Sequence, residues 1–77
     1  MECQHSEDIG SFEISVNGDA RLARVRQTLS GLLQELRLEP SRVAIEMNRR
    51  IVKRTEWDTL ELSPGAKIEI VQFVGGG

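Results

Sequence analysis

The sequence predicts an α+β domain, a mixed sheet of four to five strands packed on one amphipathic helix. Three observations predict it. A strand–turn–strand pattern opens the folded part, a leucine stripe at helical spacing follows, and the strongest strand of the chain comes last. Length sets the frame: 77 residues allow one domain, and such a chain buries only about 60% of the surface it exposes when unfolded. That leaves little room for an enclosed substrate cavity of several hundred Å³, the usual enzyme size.

Residues 1–11 are polar and without periodicity, which reads as a flexible acidic leader. Phe12-Glu13-Ile14-Ser15-Val16 then alternates apolar and polar, the mark of a half-buried strand. Asn17-Gly18 follows at once, and both residues tolerate positive φ, as a tight primed hairpin turn requires. The return strand, about Ala20–Val25, carries Leu22 and Val25 among Arg21, Arg24 and Arg26. Its imperfect alternation points to an exposed or edge position.

Thr28 is placed to cap a helix through its hydroxyl. Leu29, Leu32, Leu33 and Leu36 fall at i, i+3, i+4 and i+7, one apolar stripe. Gly31 within it costs about 1 kcal/mol relative to alanine; it marks either close packing or a tolerated residue of the first turn. Pro40 stops the helix region, and Leu38-Glu39-Pro40-Ser41 is the exit loop.

Val43–Met47 is the third strand, Asn48-Arg49 a turn and Arg50-Ile51-Val52 a short fourth strand. Residues 53–57 are irregular or a single helical turn, with Trp57 covering one end of the core. Leu60 and Leu62 flank Glu61 in a short extended piece, and Ser63-Pro64-Gly65 is a turn. Lys67–Val74 is the last strand. A final strand lying between the earlier ones, beside the first, makes the pattern a β-grasp. The domain is expected over residues 12–74, with Gly75-Gly76-Gly77 as a flexible tail.

Charge and composition narrow the function classes. Ten basic and twelve acidic residues give a net charge of −2; residues 1–13 hold four acids and no base, so the body is mildly basic. Phe12, Trp57 and Phe73 are the whole aromatic set, too few for stacking platforms on single-stranded nucleic acid. Arg42, Arg49, Arg50, Lys53 and Arg54 crowd into thirteen residues. With an acidic chain and no interleaved aromatics, that cluster reads as a rim steering an acidic partner rather than as a nucleic-acid surface. One cysteine, Cys3, excludes an internal disulfide and points to a reducing, cytoplasmic setting. The first residues have no basic and apolar segments of a signal peptide, and no window approaches a membrane span. Cys3 and His5 are two potential metal ligands where a structural zinc site needs four. No serine–histidine–aspartate set is arguable, because the single histidine lies in the leader.

The three glycines are the informative feature. They have no side chains, present the smallest cross-section a peptide has, and follow the last strand directly. Extended, Val74 to Gly77 reaches roughly 13–14 Å, enough to carry a terminal carboxylate into another protein while the body stays outside.

The chain resembles the ThiS family, sulfur carriers of thiamin thiazole biosynthesis. The resemblance rests on Val16-Asn17-Gly18, the leucines of the helix, Val43-Ala44-Ile45-Glu46-Met47-Asn48 before a basic turn, Arg54 and Trp57, and Ser63–Ile70 into the last strand. It culminates in Ile70-Val71-Gln72-Phe73-Val74-Gly75-Gly76-Gly77 and covers about residues 12–77. Ubiquitin and the small subunit of molybdopterin synthase share that fold and a terminal Gly-Gly. Two features depart from the family pattern: the leader is longer than usual, and Gly31 stands where related sequences often have the Glu of a capping box.

The resemblance implies a chemistry. A ThiF-type adenylating enzyme uses ATP to convert the Gly77 carboxylate to an acyl-adenylate. A persulfide donor displaces AMP and leaves a thiocarboxylate, which a ThiG-type thiazole synthase uses as its sulfur source. The chain itself is then no enzyme and holds no cofactor or metal; it is a tethered co-substrate. Gly76 and Gly75 give access to the partner's channel. Val71 and Phe73, pointing outward by alternation, form with Val74 a docking patch, and Arg49 and Arg50 belong to the steering rim. Alternatives on the same residues are a sulfur carrier for molybdopterin or cysteine synthesis, a ubiquitin-like protein modifier, and a non-covalent binding module with an idle tail.

Overall fold

The computed structural model describes residues 10–73. Two strands, β1 (Ser11–Val16) and β2 (Asp19–Arg24), form the opening hairpin, followed by helix α1 (Leu29–Leu36). Strands β3 (Val43–Met47), β4 (Arg50–Val52) and β5 (Lys67–Gln72) complete a five-stranded sheet of order β2-β1-β5-β3-β4. The last strand is the central one. It runs parallel to β1 and antiparallel to β3, so the expected neighbourhood of first and last strands is present. The fold begins slightly before the expected boundary at residue 12: Ser11 is already in β1, and the Gly10 carbonyl accepts from the Val25 N–H at 2.9 Å. Most of the expected leader, and the tail from Val74 on, lie outside the described residues.

Turn chemistry sets the registers. Asn17 and Gly18 take φ of 52° and 89°, both positive as a primed two-residue turn demands, and the hairpin closes Val16 on Asp19. That register puts Ala23 opposite Phe12, so Ala23 is the buried residue of β2. Leu22, and Val25 just past the strand, are exposed, and β2 is an edge strand, as the imperfect alternation indicated. A strand has period two, and the turn, not the larger side chains, chose its phase. Asn48 and Arg49 repeat the device between β3 and β4, with φ of 53° and 71°. Gly65, at φ 79°, occupies the third position of a Ser63–Ala66 turn closed by a 3.1 Å bond.

The N-terminal turn of α1 is fully partnered. Thr28 Oγ accepts from the Gly31 N–H at 3.2 Å. The Leu29 N–H donates to the Leu60 carbonyl and the Ser30 N–H to the Trp57 carbonyl, at 3.3 and 3.0 Å. The Ser30 hydroxyl also donates to the Asp58 carboxylate. The connecting stretch 53–62 is thus a strap that supplies acceptors to the donors every helix start leaves open. At the other end Arg37 adopts the left-handed conformation; its N–H bonds the Gln34 carbonyl and the Leu38 N–H bonds the Leu33 carbonyl. This is a Schellman stop made with arginine in place of the usual glycine.

The core lies between α1 and the inner face of the sheet. Leu29, Leu32 and Leu33 of the predicted stripe pack with Ile14, Val43, Ile45 and Ile68, and Leu36 is half-buried against them. Burial of each such side chain contributes about 1.5–3 kcal/mol. Trp57 is buried in the core, with its Nε1–H donating to the Val52 carbonyl at 3.0 Å. Arg54, from the short 3₁₀ turn Arg54–Glu56, lies over the indole at 5.5 Å, so this member of the basic cluster belongs to the fold.

Candidate functional site

Strand β5 carries the route to the tail. Ile68 and Ile70 point into the core, and alternation turns Lys67, Glu69 and Val71 to the outer face. Val71 is 60% exposed and Phe73 52%, as the outward reading required. The β3 register sets Ala44 opposite Val71, and Ile51 of β4 stands opposite Glu46 on the same face, 82% exposed. The outer face of β5-β3-β4 therefore carries the apolar pair Val71–Ala44 and, in the next row, Glu69, Glu46 and Ile51, and no element among the described residues covers it. Ala44 and Ile51 were not singled out from the sequence, because only strand register brings Ala44 beside Val71 and sets Ile51 diagonally across from Ala44.

β5 was expected to run to Val74. Its ladder to β3 ends at Val43↔Gln72, where the 3₁₀ turn Pro40–Arg42 bends the partner chain away. One further bond, Phe73 N–H to the Arg42 carbonyl at 2.7 Å, ties down the last described residue. Val74, Gly75, Gly76 and Gly77 lie outside the described residues.

The structure separates two groups of residues that the sequence placed in one docking site. β3 and β5 are antiparallel, so the Asn48-Arg49 turn stands at the Lys67 end of β5 and Phe73 at the other. Arg49 and Arg50 are therefore a strand length, roughly 15–20 Å, from the point where the tail departs. The basic residue beside that point is Arg42. Arg49 holds φ 71°, a conformation that costs a branched-free but non-glycine residue about 1–2 kcal/mol. Among the described residues no group of three or more His, Cys, Asp or Glu is placed to hold a metal. Nor is any described helix long and apolar enough to cross a membrane.

One amphipathic helix cradled by a mixed sheet, with the last strand central and parallel to the first, defines a β-grasp domain. Comparison with known proteins places it further. The ThiS family model matches residues 14–77. The sulfur carrier protein ThiS of Bacillus subtilis is 35% identical over 65 residues, covering 83% of this chain and 98% of that protein. A thiazole synthase of Magnetococcus marinus is 38% identical over 66 residues, 86% of this chain, and one of Paramagnetospirillum magneticum is 35% identical over the same length. The chain spans only 20% of either synthase. Among solved structures, the thiamine biosynthesis protein ThiS of Geobacter metallireducens superposes with a TM-score of 0.70 at 25% identity, over 86% of this chain and 100% of that one. The chain belongs to the ThiS family.

Proposed function

We propose that this domain is a sulfur carrier for thiazole formation in thiamine biosynthesis, with the Gly77 carboxylate as its working group. The observation that carries the reading is the family match, which runs through the glycine tail to residue 77, on a fold whose central strand leads directly into that tail.

A carboxylate is a poor electrophile, so it must be activated. A ThiF-type enzyme joins the Gly77 carboxylate to the α-phosphate of ATP, giving an acyl-adenylate and pyrophosphate. The terminal sulfur of a persulfide donor attacks the acyl carbon and AMP leaves. A thiol then takes the donor's remaining sulfur as a disulfide and releases the thiocarboxylate. The residues of this chain bind and present; they move no proton in these steps. Docking the body raises the effective concentration of the tail at the partner's site.

The consumer of that sulfur is a ThiG-type thiazole synthase. Support comes from the two synthases in which a segment similar to this chain forms part of the same polypeptide. The docking surface is the outer face at Val71 and Ala44 with Phe73 beyond, edged by Glu69, Glu46 and Ile51 in the next row; Val74 is the next residue of the chain. Arg49 and Arg50 form its far rim and Arg42 its near one. The test is intact mass after incubation with ATP, a ThiF-type enzyme and a persulfide source. Replacement of one oxygen by sulfur, mapped to Gly77, upholds the reading. An unchanged mass, with the enzyme competent on another carrier, refutes it, and adducts joined to lysine instead identify a protein modifier.

A further inference from the structure

β5 is paired unequally on its two sides. Toward β3 the ladder is continuous from Met47↔Ile68 to Val43↔Gln72, with the Phe73–Arg42 bond beyond it. Toward β1 it holds only Ser15↔Lys67 and Val16↔Ile68. The Ser15 N–H donates to the Ala66 carbonyl at 3.0 Å and the Asn17 N–H to the Ile68 carbonyl at 2.8 Å. There β1 leaves the sheet, because the positive φ of Asn17 and Gly18 turns the chain into β2. In an uninterrupted parallel ladder the Ile70 N–H would next donate to the backbone carbonyl of residue 17, and residue 19 would donate to the Ile70 carbonyl. The turn removes both partners.

The Asn17 side chain fills both places. The Ile70 N–H donates to Oδ1 at 2.7 Å, and Nδ2 donates to the Ile70 carbonyl at 3.3 Å. A primary amide carries the same donor and acceptor as a peptide unit. The side chain therefore extends the parallel ladder by one unit after its own backbone has turned away. Ile70, held by Asn17, and Phe73, held by Arg42, are two fixed points three residues apart. Two such points define the direction in which the chain departs.

We propose that Asn17 is a positioning residue for the C-terminal tail: its amide sets the line along which β5 delivers Gly77 to the activating enzyme. The role rests on the sulfur-carrier reading above. Its physical basis is register: without the amide, Ile70 loses both hydrogen-bond partners on its β1 side, and only the β3 ladder holds the strand that leads to the tail. A misplacement of about 1 Å at the reacting group can cost on the order of 100-fold in rate.

The test is ATP–pyrophosphate exchange by a ThiF-type enzyme on the full chain, with hydrogen exchange read at the Ile70 amide, at a temperature where every variant is folded. Asn17→Gly keeps the turn's backbone and deletes the amide. Gly18→Ala is the control: it strains the same turn at φ 89°, its added Cβ meets nothing within 4 Å, and it leaves the amide in place. The Asn17→Gly variant is expected to lose roughly tenfold or more in kcat, with KM within about twofold because the docking face is unaltered, and with faster exchange at Ile70. Gly18→Ala is expected to melt earlier yet keep its kcat and its Ile70 protection. Asn17→Asp retains the acceptor for the Ile70 N–H but sets a carboxylate against the Ile70 carbonyl, and falls between wild type and Asn17→Gly; it serves alone should the glycine variant not fold. Wild-type kcat in both Asn17 variants overturns the proposal, as does an equal kcat loss in Gly18→Ala. A wild-type chain that supports no exchange at all overturns the sulfur-carrier reading itself, and the role with it.

Discussion

Replacing Gly31 by alanine is expected to stabilise the domain without touching its function. Gly31 is the third residue of an eight-residue helix, and its N–H is the one that Thr28 Oγ caps. A Cβ built there meets only Gln27 Cγ and Thr28 Oγ1, each at 3.6 Å, which is ordinary van der Waals contact. No partner backbone approaches, so the close-packing explanation for this glycine fails and its entropic cost remains. Glycine within a helix costs about 0.5–1 kcal/mol relative to alanine. For a domain of this length 1 kcal/mol corresponds to roughly 4–8 °C in Tm, so the expected rise is about 2–8 °C. Calorimetry gives the shift, and urea unfolding checks it through a higher midpoint at unchanged slope. A lower Tm would refute the reasoning: the new methyl would then have disturbed the Thr28 cap, whose loss costs about 1 kcal/mol.

Four further outcomes are expected. Deleting Gly77, or replacing Gly76 by phenylalanine, abolishes thiocarboxylate formation in the intact-mass assay while leaving the melting curve unchanged; sulfur transfer retained in both variants sinks the tail as the working group. Ile68→Ala, at a position with no exposure in the central strand, lowers stability by about 2–5 kcal/mol in urea unfolding, and a loss below 1 kcal/mol would contradict the core assignment. Val71→Asp alters stability by no more than about 0.5 kcal/mol because the side chain is mostly exposed, yet weakens binding to the activating enzyme in calorimetric titration; unchanged affinity removes the outer face from the interface. Arg49→Gly relieves a positive φ of 71° and raises stability by about 1 kcal/mol, while association with an acidic partner slows and loses salt dependence; an unchanged association rate excludes Arg49 from the steering rim.

Much of this was legible in the chain because it depends on neighbours in sequence. The leucine stripe, the Thr28 cap, the Asn17-Gly18 and Ser63-Pro64-Gly65 turns and the alternation of β5 all rest on backbone preferences and side-chain period, which act over a few residues. The same locality explains why the family was recognisable: its marks are a turn, a strand and a glycine tail. The exposed Val71 and Phe73 followed from the burial of Ile68 and Ile70 by period two alone.

What the tertiary structure decided concerns residues far apart in sequence. Hairpin register, set by a two-residue turn, buried Ala23 and left Leu22 and Val25 exposed. The antiparallel pairing of β3 with β5 moved Arg49 and Arg50 to the far end of the sheet and put Arg42 beside Phe73, which no count of nearby cations reveals. Asn17 reads in the sequence as a turn residue and nothing more; its second role exists only because folding brings Ile70, fifty-three positions away, within hydrogen-bond reach. Sequence determines the local elements because their energies are local. Which strand ends meet, and hence what surrounds the departing tail, is settled only when the core that α1 and the sheet share selects one register for all five strands.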